Sequence, residues 1–372
     1  MADIQKKTRE PLLHIVKRDD MSTGKAWLVR LAAILLGFVL TGIISCILTG
    51  ASFFEVVDIM FTGVFGRLLE GKTTMLWRFL QQTAILLCLA LAVTPAFRMR
   101  FWNCGAEGQA LVGGLAAMIC MIEIGDAVPT GVLILIVFMA SVLAGAVWGV
   151  IPALFQAQYK TNETLFTLMM NYVATQIVAY YVVLTTAGAG SNIIKPVPYG
   201  NLPVLFGQKY LMNILIVAVL MVAVYIYLKY SKHGYEIAVV GESQNTARYV
   251  GINVKKVIIR TMAISGALCG VAGMLLVAGT DHSINTNTVG GQGFTAIMIS
   301  WLGQFNPFIM AGMAGLVTFL KTGAAKVADT FFLNSSYSDI VSGVVILFLV
   351  GCEFFIHYTV KFRQSKKGGK VQ

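Results

Sequence analysis

The sequence is poor in charge. Asp, Glu, Lys and Arg make up 12% of its 372 residues, about half of the roughly 25% that a soluble domain carries. So few charges cannot cover a globular surface of this size, which excludes an independent soluble enzyme. With 57% hydrophobic residues, a disordered chain is excluded as well. Histidine is equally scarce. Only His14, His233, His282 and His357 are present, and none is paired with a plausible nucleophile or metal partner, so an intramembrane enzyme has little to work with. The six cysteines (Cys46, Cys88, Cys104, Cys120, Cys269 and Cys352) contain no CxxC pair and mostly sit inside apolar runs. They read as small apolar side chains rather than a metal site or a disulfide framework. Proline numbers only 8 against 37 glycines, a balance that suits closely packed membrane helices better than linkers.

What is present is lipid-compatible sequence, with a mean hydropathy of +0.77. A helix needs about 20 apolar residues to cross the hydrocarbon core. Uncharged or nearly uncharged runs cover 31–54, 79–97, 108–122, 127–159, 164–194, 210–228, 261–280, 282–320 and 340–360. Gly303–Pro307 should break the 282–320 run into a short span near 289–304 and another near 307–327. The expectation is an all-α polytopic membrane protein with about ten transmembrane helices, both termini cytoplasmic, and two loosely repeated halves. Residues 1–25 would form a cytoplasmic amino-terminal tail, 26–361 the transmembrane domain, and 362–372 a cytoplasmic carboxy-terminal tail. The amino terminus does not read as a signal peptide, because residues 1–25 are of mixed charge and the following apolar run is too long for an h-region.

Net charge is +11, and its placement gives orientation. Basic residues cluster at the start (Lys6, Lys7, Arg9, Lys17, Arg18, Lys25, Arg30), after the second span (Arg98, Arg100) and after the fourth (Lys160). They cluster again around 231–258 (Lys229, Lys232, Arg248, Lys255, Lys256, Arg260) and at the end (Lys361, Arg363, Lys366, Lys367, Lys370). Each cluster lies an even number of spans from the others, so ten spans place them all in the cytoplasm. The excess is an orientation signal and not a nucleic-acid footprint.

Several motifs interrupt the apolar background. Gly66–Thr73 (GRLLEGKT) matches the phosphate-binding pattern GxxxxGK[ST]. A working phosphate loop joins a buried strand to a helix; this match falls between two spans on the expected outer side and is read as a false positive. Asn103–Gln109 (NCGAEGQ) places Glu107 at the head of a Gly-rich span. A carboxylate there must face a cavity or partner, or serve as a structural helix-start carboxylate at the interface. Asn287–Phe294 (NTVGGQGF) repeats the polar, Gly-rich pattern in the second half, and interrupted segments in corresponding halves point to a transport site. A helix-packing turn is the alternative. In Asn162–Ala174 (NETLFTLMMNYVA), Asn171 either bonds a neighbouring helix or lines the path. Residues 231–258 form the largest internal cytoplasmic segment, helical from Glu242 to Val250, and should dock onto something. The GxxxG pairs Gly145/Gly149 and Gly266/Gly270 favour close helix crossing.

Asn103–Gln109, Asn162–Tyr172 and Gly241–Val254, together with Gly290–Gly303, resemble the permease subunits of bacterial ATP-binding-cassette importers for simple sugars and nucleosides, the nucleoside branch most of all. Cys104, the Gln244-Asn245-Thr246 stretch and Ser300-Trp301 depart from the usual pattern. The resemblance implies a second permease subunit, identical or homologous, an ATPase subunit that carries ATP and Mg, and an extracytoplasmic substrate-binding protein, all at a bacterial cytoplasmic membrane. No cofactor is expected on this chain. By the same analogy Glu242, Ala247, Arg248, Tyr249 and Gly251 would couple to the ATPase. The candidate solute path comprises Asn103, Glu107, Gln109, Asn171, Asn287, Gln292, Phe294 and Trp301, no residue being catalytic or metal-binding. The alternative class is an ion-coupled secondary transporter of a small polar solute, with Glu107, Glu163 and Asp281 as coupling carboxylates.

Overall fold

The computed structural model describes residues 13–18, 21–66, 73–187, 193–334 and 336–362. Residues 67–72, which hold the interior of the GxxxxGK[ST] match, lie outside them, as do most of the expected amino-terminal tail and all of 363–372. The chain forms two compact units. One comprises the stretch up to Phe61 together with that from Gly323 onward, and the other is Thr62–Thr322.

In the first unit, strand β1 (Leu13–Lys17) lies inside the expected tail. It pairs antiparallel with β2 (Tyr358–Phe362), with Val16 opposite Thr359. Between them α1 (Thr23–Thr49) packs along α13 (Ser336–His357). Ala26 and Ala33 meet Cys352 and Ile356, and Gly37 sits against Val345. Arg30, buried at the same interface, donates from Nε to the Glu353 carboxylate at 2.7 Å. Deeper along the pair, the Ser45 and Tyr337 hydroxyls share a hydrogen bond. After Gly50 ends α1, α2 (Phe53–Phe65) packs Phe53 against Phe38 and Gly42.

The second unit is built around two buried helices. These are α3 (Thr74–Arg98) and α10 (Val254–Leu276), the latter followed by one widened turn at Val277–Asp281. Their apolar spans are 78% buried, against 22% for α5 (Thr130–Tyr159) and α7 (Leu211–Tyr230) and 28% for α6 (Glu163–Thr186). The buried pair forms the core, and the other three present apolar flanks outward. Both GxxxG pairs meet each other. Gly266 and Gly270 of α10 lie against the backbone of Ser141, Gly145 and Ala146 of α5, while Gly273 lies against Ala110 and Gly114 of α4 (Ala106–Glu123). A Cβ at any of them would enter a neighbouring backbone, so glycine is what permits these crossings.

Among the described residues nine helices are long and apolar enough to cross a membrane. The expected tenth, near 289–304, is instead α11 (Gln292–Leu302), only 11 residues and about 16 Å of rise. Hydropathy counted the irregular lead-in before it as helix. The break after it is where Gly303–Pro307 placed it. Gln304 and Phe305 turn with positive φ, Asn306 accepts from the Phe308 N–H at 3.1 Å, and α12 (Pro307–Thr330) starts on the proline.

Candidate translocation site and coupling face

Between α3 and α4 the chain unwinds over Met99–Gly105. The Asn103 and Gln109 side-chain amides bond each other reciprocally at 3.2 Å. Asn103 also donates to the Ser265 hydroxyl at 3.0 Å and accepts from the Gly105 N–H at 3.0 Å. From α6, Asn171 donates to the Cys104 carbonyl at 2.9 Å and accepts from the Gly108 N–H at 2.9 Å. The Thr167 hydroxyl accepts from the Cys104 N–H at 3.2 Å. Asn103, Gln109 and Asn171 are all buried. The structure thus turns three of the polar residues expected along a solute path onto the unwound junction itself, where Asn103 and Asn171 satisfy backbone groups and Gln109 holds Asn103 in place.

Glu107, in the first turn of α4, reaches across to the second interrupted segment. Its two carboxylate oxygens accept from the Gly291 and Gly293 N–H groups, each at 2.8 Å. These are first-turn amides of α11, where a helix end favours an anion. Gly290 and Gly291 are both left-handed, with φ of 60° and 74°, and Gly293 lies so close to the Glu107 backbone that a Cβ would come 2.6 Å from its nitrogen. The two Gly-rich motifs, one in each half of the sequence, therefore meet as a single joint. Glu163, in the first turn of α6, and Asp281, in the turn after α10, lie on other elements. No group of three His, Cys, Asp or Glu among the described residues could hold a metal ion.

Beyond the joint, α11 carries Phe294, Met298 and Trp301 as a partly exposed stripe at helical spacing. Trp301 stacks on Trp102, with ring centroids 5.5 Å apart and planes 26° apart, and Phe97 sits edge-on to both. Trp102 and Trp301 are 44% and 50% exposed, so each offers ring surface that no part of the chain covers. Trp102 was not among the expected path residues, although it directly precedes Asn103. Asn287 is exposed, its N–H donating to the Asn285 side chain at 2.7 Å. Gln292 is half-buried and begins α11.

The segment after α7 forms two helices where one was expected. Ser231 caps α8 (Lys232–Glu242) through the Gly234 N–H at 3.0 Å, and Ser243 caps α9 (Gln244–Tyr249) through the Thr246 N–H at 3.2 Å. Glu242 thus ends α8 rather than opening the second helix. Gly234 seats α8 on the Tyr227 and Leu228 carbonyls, and Gly241 seats it on the Arg98 carbonyl. Glu236 accepts from Arg260 of α10 at 2.8 Å, and that hydrogen bond holds its carboxyl below the usual carboxylate range. Ala247 corrects the expectation of an outward coupling residue. It is fully buried, its N–H donating to the Ser243 carbonyl and its carbonyl accepting from the Ile252 N–H at 2.9 Å. The outward face of α9 is Arg248 and Tyr249, followed by Val250. Tyr249 is 93% exposed, and Gly251 turns the chain away with φ of 81°.

Residues 75–350 match the family described as branched-chain amino acid transport system / permease component. The chain belongs to this family. As a permease component it is a multi-pass membrane protein, in keeping with the nine long apolar helices among the described residues. It is 29% identical over 349 residues to the guanosine ABC transporter permease protein NupP of Bacillus subtilis, covering 91% of this permease and 96% of the relative. It is also 29% identical over 299 residues to the glucose ABC transporter permease protein TsgB13 of Haloferax volcanii, covering 76% and 78%. With the nucleoside ABC transporter permease protein NupB of Lactococcus lactis the identity is 24% over 362 residues, covering 92% and 96%.

Proposed function

We propose that this permease is the membrane subunit of an ATP-binding-cassette importer, forming the path for nucleosides handed over by an extracytoplasmic binding protein. In this reading it pairs with a second permease subunit in a bacterial cytoplasmic membrane, with both flanking segments cytoplasmic. A separate ATPase subunit carries ATP and Mg and docks on the α8–α9 face; the permease itself holds no cofactor and performs no chemistry. The observation that carries the reading is the α9 face. Arg248 and Tyr249 project from α9, which follows directly on α8, and α8 is seated on α3, α7 and α10, which makes the pair a handle for a partner's motion rather than a loose loop. Tilting that handle would act on α10, which also meets α4 through Gly273 and the unwound junction through Ser265.

On the solute side, nucleosides offer hydroxyls and an aromatic face. Phe294, Trp301 and Trp102 supply exposed rings for the base, while the amides of Asn287 and Gln292 would bond the sugar hydroxyls. The names of the relatives support nucleosides, with glucose as the competing solute. The test uses proteoliposomes containing the permease pair, its ATPase and its binding protein. Uptake of labelled guanosine should require ATP and be blocked by excess nucleoside but not by ribose or glucose. Uptake driven by an ion gradient in the permease alone would overturn the importer reading, and inhibition by ribose alone would overturn the nucleoside preference.

A further inference from the structure

A cavity of about 380 Å³ opens where α5 ends, α9 lies and α10 begins, within the roughly 300–1,000 Å³ of small-molecule sites. Its walls carry three cations, Lys160, Arg248 and Lys255, and four side-chain amides, Gln156, Gln158, Gln244 and Asn253, but no carboxylate. None of the three cations forms an ion pair among the described residues. Lys160 at the C-cap of α5 complements the negative helix end there, so its charge is explained locally. The charge on α10 is not. Lys255 and Lys256 occupy its first turn, where no acidic residue stands and where a helix end disfavours cations. The Asn253 side chain accepts from the Lys256 N–H and its carbonyl from the Val257 N–H, both at 3.1 Å, which leaves the first two amides of α10 without an intrahelical acceptor. Gln156 adds a buried side-chain oxygen without a partner; rotating that amide turns its nitrogen, a neutral donor, to the same place. Positive charge, spare amide donors and an unfavourable helix-end placement converge on one cavity, and an anion resolves all three.

We propose that this cavity binds a phosphoryl group, supplied by the headgroup of an anionic phospholipid. Phosphate oxygens accept from lysine, arginine and amide donors together. The cavity sits at the ends of two helices long and apolar enough to span the membrane, which sets it at headgroup depth. Beside it, α5 exposes Phe155 and Tyr159, an apolar flank on which an acyl chain lies while its headgroup turns inward. The site shares Arg248 with the proposed ATPase face, so the test varies only Lys160 and Lys255, which that face does not use.

The test uses the full-length permease in nanodiscs of equal phosphatidylglycerol and phosphatidylcholine, with retained lipid counted by native mass spectrometry. Wild type should keep phosphatidylglycerol preferentially. Lys160→Gln with Lys255→Gln should lower that preference roughly tenfold or more, each lysine near an anionic surface contributing about fivefold. Lys160→Arg with Lys255→Arg should restore it, which separates lost charge from lost fold. Inorganic phosphate is titrated in parallel. Displacement of phosphatidylglycerol by phosphate supports a phosphoryl-reading site, whereas phosphate binding without lipid preference overturns the lipid source. Unchanged retention in the glutamine double variant, or no anion bound at all, overturns the site itself.

Discussion

At the scale of single residues, Glu107 has the largest structural consequence for its size. It bonds two amides 184 and 186 positions away, and no neighbouring carboxylate duplicates it. Glu107→Ala leaves both amides without a protein acceptor. The Gly293 amide is part-buried and the Gly291 amide exposed, so water rescues the second better than the first. The expected loss is about 1–3 kcal/mol, read as a lowered melting temperature in detergent, with Glu107→Gln intermediate because one oxygen survives. A melt equal to wild type for the alanine variant would show that the joint is held by something else. Gly266 gives a second prediction. A Cβ there enters the Gly145 carbonyl, so Gly266→Val should lower stability by about 1–3 kcal/mol or abolish folding. Gly343→Ala on α13, where nothing lies within 4 Å, should leave the size-exclusion profile unchanged. The motif residues were legible because Asn, Glu and clustered Gly are anomalous inside apolar sequence. Their partners were not, since nothing local in NCGAEGQ encodes a turn nearly two hundred residues later. Trp102 escaped because an aromatic beside an apolar run carries no anomaly.

At the scale of elements, the long helices were legible from hydropathy because lipid demands it, and the 303–307 break from proline chemistry. Two features were not. The half-length α11 hides in continuous apolarity, because hydropathy measures composition and not whether a backbone is helical. α8 was missed although Ser231 and Ser243 both stand as N-caps, a signal that was present in the sequence. α8 also yields a pH prediction. The Arg260 hydrogen bond depresses the Glu236 carboxyl, so its contribution to docking α8 on α10 is complete above the ordinary carboxylate value near 4.3. It fades as pH falls through the lowered folded value. Protection of the amides in residues 232–242, taken relative to the intrinsic exchange rate at each pH, should fall in acid below pH 4 and stay flat between pH 6 and 8, while Glu236→Gln should show the lowered protection at neutral pH. Protection that falls between pH 6 and 8 would mean another group controls the contact.

At the scale of the whole molecule, the β1–β2 pairing constrains how often the chain crosses the membrane. Lys17 pairs with Tyr358, so the segment leading into α1 and the segment leaving α13 lie on one side, and the number of crossings is even. The nine long helices among the described residues are an odd number. One further crossing is needed, and the two short apolar helices, α2 with 13 residues and α11 with 11, compete for it. The charges decide between them. If α2 crosses, Arg98, Arg100, Lys160 and the cluster around α8 and α9 fall on the side opposite Lys17 and Lys25, against the positive-inside pattern. If α11 completes a crossing begun by the irregular residues before it, every cluster shares one side. Non-helical backbone at membrane depth is tolerated where protein buries it or where it lines a water-filled cavity; Ile284 and Val289 are buried while Asn285, Thr286 and Asn287 are exposed polar residues suited to such a cavity, and Glu107 supplies acceptors at the point where helix resumes. Single cysteines at Lys17 and Tyr249, read against the wild-type background with a membrane-impermeant thiol reagent, separate the two paths. Both should label only when the reagent is inside sealed vesicles of native orientation. Labelling of Tyr249→Cys from outside, with Lys17→Cys protected, would give the tenth crossing to α2 and put the α8–α9 face out of an ATPase's reach.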